Sequence, residues 1–443
     1  MAQRRLIIGT LIFLTAFGSG LLVWTNKRSE APQVQSGVAE NYKLLARLLV
    51  DNGFTSFFDA SSSTTNPDLL GHPPGYSILL AIMYKVGSQS DTTAQLFQIF
   101  CASICAVLIF LIAIEFVPFS AGAVAGFMAA LAPQFSWNSI LLLPDTLAAL
   151  PLLLAVYLIT QALKKPFWLT MLGAGICIGL SCWLRANGLL LGPFLAVLVF
   201  LIFQRGLRSR MALTFIAGFF LAIAPLTIRN AVVFGHFIPV SLGAGQTLLE
   251  GIADYDEAGR FGVPATDVEL TKQEAHAKNR PDYAATLFGP DAIHRDRERL
   301  ARGLAIVQAN PVWFLSVVVR RAVNMWRLER VPLISTANLP SGWTGYIYLV
   351  VRSVQRLFIT AIVLPLVLIG LMNLIWQRRF RVVAILLGVP AYYFCVQSIL
   401  HTEYRYVLTL YYFLFALAGV GIYRIVRQLR RLTTRKGEPG QAI

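Results

Sequence analysis

The sequence predicts an all-α polytopic membrane protein, a bundle of about ten transmembrane helices with interfacial helices on the extracytoplasmic side. Three observations carry that prediction. Hydrophobic residues make up 56% of the 443 and charged residues only 14%, more apolar surface than a soluble domain of this size can bury. Apolar runs near the length that crosses a bilayer, about 20 helical residues, recur along the chain. The basic residues gather in the segments between alternate runs, as the positive-inside rule requires of a multi-pass chain.

The first run, 6–24, follows Arg4 and Arg5. A cleaved signal peptide has a shorter core of roughly 7–15 residues and a small-x-small site. Neither is found, so the run reads as a retained first helix. Further spans follow at about 94–114, 119–137, 144–163, 167–184, 188–204, 211–228, 357–376, 382–400 and 406–423. Arg4/Arg5, Lys164/Lys165, Arg205/Arg208/Arg210, Arg378/Arg379/Arg381 and the tail from Arg424 to Lys436 then fall on one side. That side is the cytoplasm, with both termini in it. The formal net charge of +16 is mostly a topology signal and an affinity for anionic headgroups; nucleic acid is not required as a partner.

This divides the chain into an N-terminal membrane module, 1–230, that includes a first outer loop at 25–93. An extracytoplasmic loop at 231–356, C-terminal spans at 357–423 and a basic tail at 424–443 complete it. Five cysteines (Cys101, Cys105, Cys177, Cys182, Cys395) all sit inside apolar runs with no zinc-like spacing, and read as small apolar residues.

Two outer stretches are apolar yet too short to span. In GHPPGYSILLAIMYKVGS (71–88), Pro73 and Pro74 stop any preceding helix and about ten apolar residues follow. A short interfacial helix suits it, with Tyr76, Ile78, Leu79, Ile82 and Met83 on its apolar face. In the second outer loop, DRERLARGLAIVQANP (296–311) has helical spacing and an Asn-Pro stop. The VWFLSVVV after it is followed by Arg320, Arg321, Arg327 and Arg330, which also suits an interfacial helix.

This topology gathers a set of polar residues at the outer surface. Glu40, Asp51, Asp59, Asp68 and His72 lie in the first outer loop. Asp145 opens the fourth span, in LLLPDTLAAL; Arg185 ends the fifth, in CWLRANGLLL; Arg229 ends the seventh, in PLTIRNAVVFGHF, with His236 close behind. His401, Glu403 and Arg405 stand between the last two spans, in LHTEYRYVL. Taken singly, Asp145 suits a helix N-terminus, Arg185 and Arg229 suit snorkelling anchors, and His401 a solvated histidine. Together, charges at a membrane edge point to function. Arginines hold a phosphate bidentately, and a carboxylate serves as general base toward an incoming hydroxyl.

These motifs resemble the C-type glycosyltransferase superfamily, specifically the bacterial relatives of protein O-mannosyltransferases and of the lipid A aminoarabinose transferase. The matching pieces run in family order: AENYKLLARLLVDNGF (39–54), HPPGYSILLAIMYKVGS (72–88), LPDTLAAL (143–150), GLSCWLRANGLLL (179–191), PLTIRNAVVFGHFIPVS (225–241), DRERL…ANPVWFL (296–315) and EYRYVL (403–408). The resemblance implies a multi-pass enzyme of the bacterial inner membrane, with a polyprenyl-phosphate-linked sugar donor and an extracytoplasmic site. It implies a catalytic Asp four residues before the tyrosine of a DxxxY-like pattern. Here that tyrosine is Tyr42 and the position holds Val38. Glu40 is then the nearest carboxylate and the expected base, with Asp59 and Asp68 as alternatives. Asp145 is expected to position the acceptor or a metal, Arg185 and Arg405 to lie near the donor phosphate, and Glu403 to orient Arg405. Arg229 is a structural anchor or a ligand contact. Tyr42, His72, Tyr76 and His401 are further candidate substrate contacts. Some members of the superfamily need a divalent cation, so Mg or Mn stays open, although no dense carboxylate cluster argues for an obligatory ion.

The expected reaction is displacement at the anomeric carbon by a hydroxyl of a glycan, lipid or protein acceptor. The alternatives are a flippase for lipid-linked sugars and a non-catalytic assembly protein, the latter kept open by Val38. Paired interrupted helices, which would favour a transporter, are not evident, and neither is a phosphate-binding glycine loop.

Overall fold

Each of the ten apolar runs is helical in the structure, a computed structural model that describes residues 2–87, 89–337 and 339–436, without the side chains of 433–436. No strand occurs among the described residues. The N-terminal helix α1 (Ala2–Lys27) leads into an outer loop that carries α2 (Ser36–Asn52) and α3 (Gly75–Val86). The bundle continues with α4 (Asp91–Ile114), α5 (Phe119–Leu131), the short α6 (Pro133–Asn138), α7 (Asp145–Lys164), α8 (Trp168–Leu184), α9 (Leu191–Ile202) and α10 (Arg208–Phe234). The second outer region contains α11 (Ala244–Ala253), α12 (Asp267–Lys278), α13 (Ala292–Ala309), α14 (Pro311–Asn324) and α15 (Trp343–Gln355). Three helices close the chain: α16 (Thr360–Trp376), α17 (Phe380–Cys395) and α18 (Leu408–Lys436).

Among the described residues, six helical stretches are long and apolar enough to cross a bilayer: α1, α4, α7, α10, α17 with the turn after it, and α18. The count rises to eight if each of two bent pairs is one span. The helices α5, α8 and α9 are shorter, and local chemistry explains two of them. Ala132 precedes Pro133 and takes an extended ψ of 124°, because the proline ring crowds a helical residue before it. That splits the expected 119–137 span into α5 and α6. The Asn187-Gly188 turn delays α9 until Leu191. Nor does the span at 357–376 stand alone: α15 precedes it and meets α16 at a 58° bend.

Long-range contacts give the two ends of the bundle distinct characters. At one end, Arg5 Nη1 reaches Glu115 Oε1 at 3.2 Å and Lys164 pairs with Oε2 of the same buried carboxylate. The basic turn at 378–381 and the end of α18 share that end by the direction of their helices. At the other end, Trp24 Nε1 donates to Gln95 (2.8 Å) and Trp137 Nε1 to Tyr404 (3.1 Å). The two loops that the sequence places outside lie at this end, the outer end.

Small residues let the helices approach closely, the packing device of membrane bundles. A Cβ on Gly175 or Gly179 of α8 would collide with the backbone of α10 around Phe215–Phe219. On α3, a Cβ at Gly75 would stand 2.5 Å from Trp183 O. Glycine at that point therefore seats the short helix against the end of α8. Tyr76, Leu80 and Ala81 are buried while Ile82 and Val86 are exposed. So α3 packs by one face and leaves only the other for the membrane boundary; Tyr76, expected on an apolar interfacial face, belongs to the packed one.

The second outer region has a small core of its own around Leu248, Leu249, Ile252 and Phe314. The start of α11 is capped from a distance. Asp296 Oδ1 accepts from Gly245 N (3.1 Å) and Gln246 N (3.2 Å), and Oδ2 from Gly243 N (3.1 Å). A carboxylate thus satisfies amides that no helix partner reaches. The helices α13 and α14 meet at 106° across Asn310-Pro311, so α14 turns aside and does not continue α13, in keeping with the interfacial reading of VWFLSVVV.

Candidate functional site

A chain of ionic contacts at the outer end joins residues from four distant parts of the sequence. Asp145 sits in the first turn of α7, where the helix dipole favours a negative charge, and its side chain is only 2% exposed. Its Oδ1 accepts from Arg185 Nη1 at 2.5 Å. Arg185 can reach it because it has left the helix: as the residue capping α8 it is extended, φ −146° and ψ 119°. The guanidinium lies over the Tyr406 ring, 4.0 Å from its centroid. Arg405 Nη1 approaches Asp145 Oδ2 to 3.9 Å, and that oxygen is buried with no hydrogen-bond partner.

The network continues outward through the loop between α17 and α18. Arg405 Nε and Nη2 donate to the two oxygens of Glu403 (2.5 and 3.1 Å). Glu403 also accepts from Gln35 Nε2 (3.2 Å) and faces His401 Nε2 at 3.8 Å. His401 Nδ1 pairs with Asp254 at 2.6 Å, and its backbone N–H donates to Thr247 O at 3.0 Å. The chain therefore runs Arg185–Asp145–Arg405–Glu403–His401–Asp254, and its last link docks α11 onto the bundle.

Electrostatics follow from this contact chain. Burial opposes charge on Glu403, but the hydrogen bonds to His401 and Arg405 win and hold its carboxyl down at about 2. Burial likewise opposes charge on His401, and Asp254 and Glu403 overcome it, raising the imidazole to about 10. His72 has the opposite balance. Burial, then the positive fields of Arg185 and Arg405, push it down to about 4, so it is neutral at ordinary pH. Its ring lies 5.1 Å from that of Tyr42 and makes no hydrogen bond among the described residues. Tyr42 is buried within the field of Arg185, Asp145 and Arg405. Its ring also meets Tyr76 (5.1 Å), whose hydroxyl donates to Gln98. Tyr76 thus supports the site from behind.

Of the residues singled out in the sequence, the structure brings together Tyr42, His72, Asp145, Arg185, His401, Glu403 and Arg405. Three it does not. Glu40 is on α2, about 200° around the helix from Tyr42 at 3.6 residues per turn. It is exposed and pairs with Lys43 Nζ (3.2 Å), which also holds Asp91 (2.9 Å). Asp59 is exposed and accepts from Ser61 N and Oγ (2.9 and 2.7 Å), closing a local turn. Arg229 is buried and lines a small cavity together with His72, its Nε on Phe57 O (2.9 Å), its Nη1 on Asn230 Oδ1 (2.9 Å), and its guanidinium over the rings of Phe57 and Phe234. All its contacts are structural. Asp68, the other alternative base, abuts Gly289 in the outer region, within the field of Arg295.

Sequence reasoning missed Gln35, Tyr406, Asp254 and Glu250. Burial raises Glu250 to about 7, against the opposing field of His401. A hint lay in TLLEGIADYDE, where Glu250 and Asp254 stand four apart on one helix face. Among the described residues no three His, Cys, Asp or Glu side chains converge to hold a metal ion. Asp145 faces two guanidinium groups that a cation would have to displace. The arrangement does not fit a divalent ion.

Comparison with known proteins adds to this geometry. Residues 71–228 match the family described as dolichyl-phosphate-mannose-protein mannosyltransferase. No curated protein matches the chain by sequence. Among solved structures, the oligosaccharyltransferase AglB from Archaeoglobus fulgidus, in complex with an inhibitory peptide and a dolichol-phosphate, is similar at 13% identity with a TM-score of 0.53. The match covers 99% of this chain and 52% of that one. The apo form of the oligosaccharyltransferase from the same organism gives 14% and 0.54, over 99% and 53%. The chain thus spans about half the length of these structures. ArnT from Cupriavidus metallidurans bound to undecaprenyl phosphate is also similar, at 13% identity and a TM-score of 0.34, over 87% and 73%. The fold is that of the C-type glycosyltransferases, as the motifs implied.

Proposed function

We propose that this protein is an integral membrane glycosyltransferase that moves a sugar from a polyprenyl-phosphate donor to a hydroxyl acceptor on the extracytoplasmic face. One observation carries the reading. Arg185 and Arg405 converge on a single buried carboxylate, Asp145, whose second oxygen is left without a hydrogen bond. Such a site is set to exchange partners. A donor phosphate entering from the bilayer takes the two guanidinium groups, which match its oxygens bidentately, and releases Asp145. The dolichol-phosphate in the AglB complex supports this ligand class.

In the reaction the acceptor oxygen attacks the anomeric carbon and loses its proton to Asp145. The bond from that carbon to the phosphate oxygen breaks, and its electron pair leaves with the polyprenyl phosphate. Arg185 and Arg405 neutralise the charge that develops there. Glu403 and His401 keep Arg405 oriented. Asp145 takes the role that the sequence first assigned to Glu40, because Glu40 faces away from the cluster. The bacterial inner membrane, with the basic end of the bundle in the cytoplasm, is the compartment consistent with the charge distribution.

The test uses the purified chain in vesicles with a polyprenyl-phosphate-linked sugar and a panel of hydroxyl acceptors. Sugar transfer that is lost in Asp145→Asn is the expected result. Movement of the lipid across the bilayer without transfer overturns the enzyme reading in favour of a flippase. Transfer that survives Asp145→Asn overturns only the choice of base.

A further inference from the structure

The outer end carries positive charge that the site does not use. Between α14 and α16 the chain folds back on itself: Leu328 N donates to Thr360 Oγ1 (3.0 Å) and Thr360 N to Glu329 Oε1 (2.6 Å). This brings Arg327 and Arg330 to the junction of α15 and α16, where Arg356 stands. All three are exposed, and none makes an ion pair among the described residues. Glu329 is the one acid between residues 325 and 360, and it is engaged with Thr360.

On both sides of this junction an apolar stripe faces outward. On α14 it is Val312, Leu315, Val319 and Val323, between 54 and 81% exposed. On α15 it is Trp343, Tyr346, Ile347 and Val350, between 47 and 86% exposed. Their spacings of three and four residues put each set on one helix face. Exposed stripes of this kind next to a spanning helix belong in the lipid boundary. Charge narrows the occupant further. Arginines are usually kept away from this side of a multi-pass protein, so an unpaired group of three at the boundary needs a counter-charge from outside the chain.

We propose that α14, α15 and the arginines at the α15–α16 junction form a docking surface for anionic phospholipid in the leaflet at the outer end. The acyl chains lie along the two stripes, and Arg327, Arg330 and Arg356 hold the headgroup phosphate. The surface serves to seat the outer region on the membrane beside the site. It requires that this end face the outer leaflet, but not that sugar be transferred.

The test reconstitutes the full chain in vesicles carrying photoreactive phosphatidylglycerol or photoreactive phosphatidylcholine with the same acyl chains, and maps the labelled peptides. Phosphatidylglycerol is expected to label residues 311–356 at least about fivefold more than phosphatidylcholine, the factor for one interfacial charge. The combined variant Arg327→Gln, Arg330→Gln, Arg356→Gln should abolish that preference, and the Lys counterparts should retain it. Labelling beside Arg5 at the opposite end should be unchanged, which reports an intact bundle. Equal labelling by the two lipids, a preference that survives the Gln variant, or cross-links from the stripes to a second copy each overturn the proposal.

Discussion

Two carboxylates in this protein, buried Asp145 and half-buried Glu274, each draw two arginines, and they are satisfied to different degrees. In the outer region Glu274 accepts from Arg295 Nε (3.0 Å) and from Arg299 Nε and Nη2 (2.6 and 2.7 Å). Arg295 spends its other groups on Thr286 O, Gly289 O and Tyr283 O. Apart from Arg299 Nη1, the network is saturated, as a structural clamp must be. Asp145 accepts one hydrogen bond, and its other oxygen has none. Arg185 donates one side-chain hydrogen bond among the described residues. A saturated network holds a fold together; an unsaturated one at a membrane edge has capacity left for a ligand.

Substitutions should separate the two. The largest expected effect is on stability at the clamp. Glu274→Ala strands two arginines, of which Arg295 is 1% exposed on its side chain, and removing one partner of a buried pair costs about 3–5 kcal/mol. Limited proteolysis should show the outer region opening, with activity falling alongside it. If the variant melts as the parent does, the clamp is not structural.

Next comes Arg185→Ala. Loss of one group that neutralises charge in the transition state lowers the transfer rate by about 10²–10³-fold, and because Arg405 still faces Asp145 at 3.9 Å, melting in detergent should fall less than in Glu274→Ala. A variant that unfolds and loses activity in proportion would erase the contrast with Glu274.

A smaller effect comes from pH. His401 is raised to about 10, so its contribution is complete below its ordinary value of about 6.5 and fades as pH climbs through 10. Glu403 is lowered to about 2; its contribution is complete above about 4.5 and fades as pH falls through 2. The junction between α11 and the bundle is therefore firmest from about pH 4.5 to 6.5 and weakens progressively above that. Melting should drop toward pH 10 in the parent, and the drop should flatten in His401→Gln. An equal drop in both sinks the latch.

The smallest effect belongs to Glu40→Gln, expected to change transfer by less than about twofold, since exposed pairs contribute little. A large loss would return the base to α2.

Much of the site was legible because spans and charge placement are local properties. LLLPDTLAAL and CWLRANGLLL each put a charge at a helix end on the same side, and alternating direction brings those ends together. The assignments that failed to join the cluster turned on quantities no linear pattern contains. Glu40 and Tyr42 are two residues apart, yet one pairs with Lys43 at the surface and the other is buried beside Asp145. Arg229 reads from the sequence as either a structural anchor or a ligand contact, and only the fold brings Phe57, 172 residues away, to its Nε.

The sequence by itself determined the all-helical membrane class and the order of its apolar helices. Each follows from apolar length and charge, which the bilayer reads segment by segment. Only the tertiary structure decided which charges are spent on the fold and which remain for a ligand. That depends on side chains far apart in the chain competing for the same oxygen, and the contest at Asp145 takes its form only when α7, the end of α8 and the loop before α18 meet.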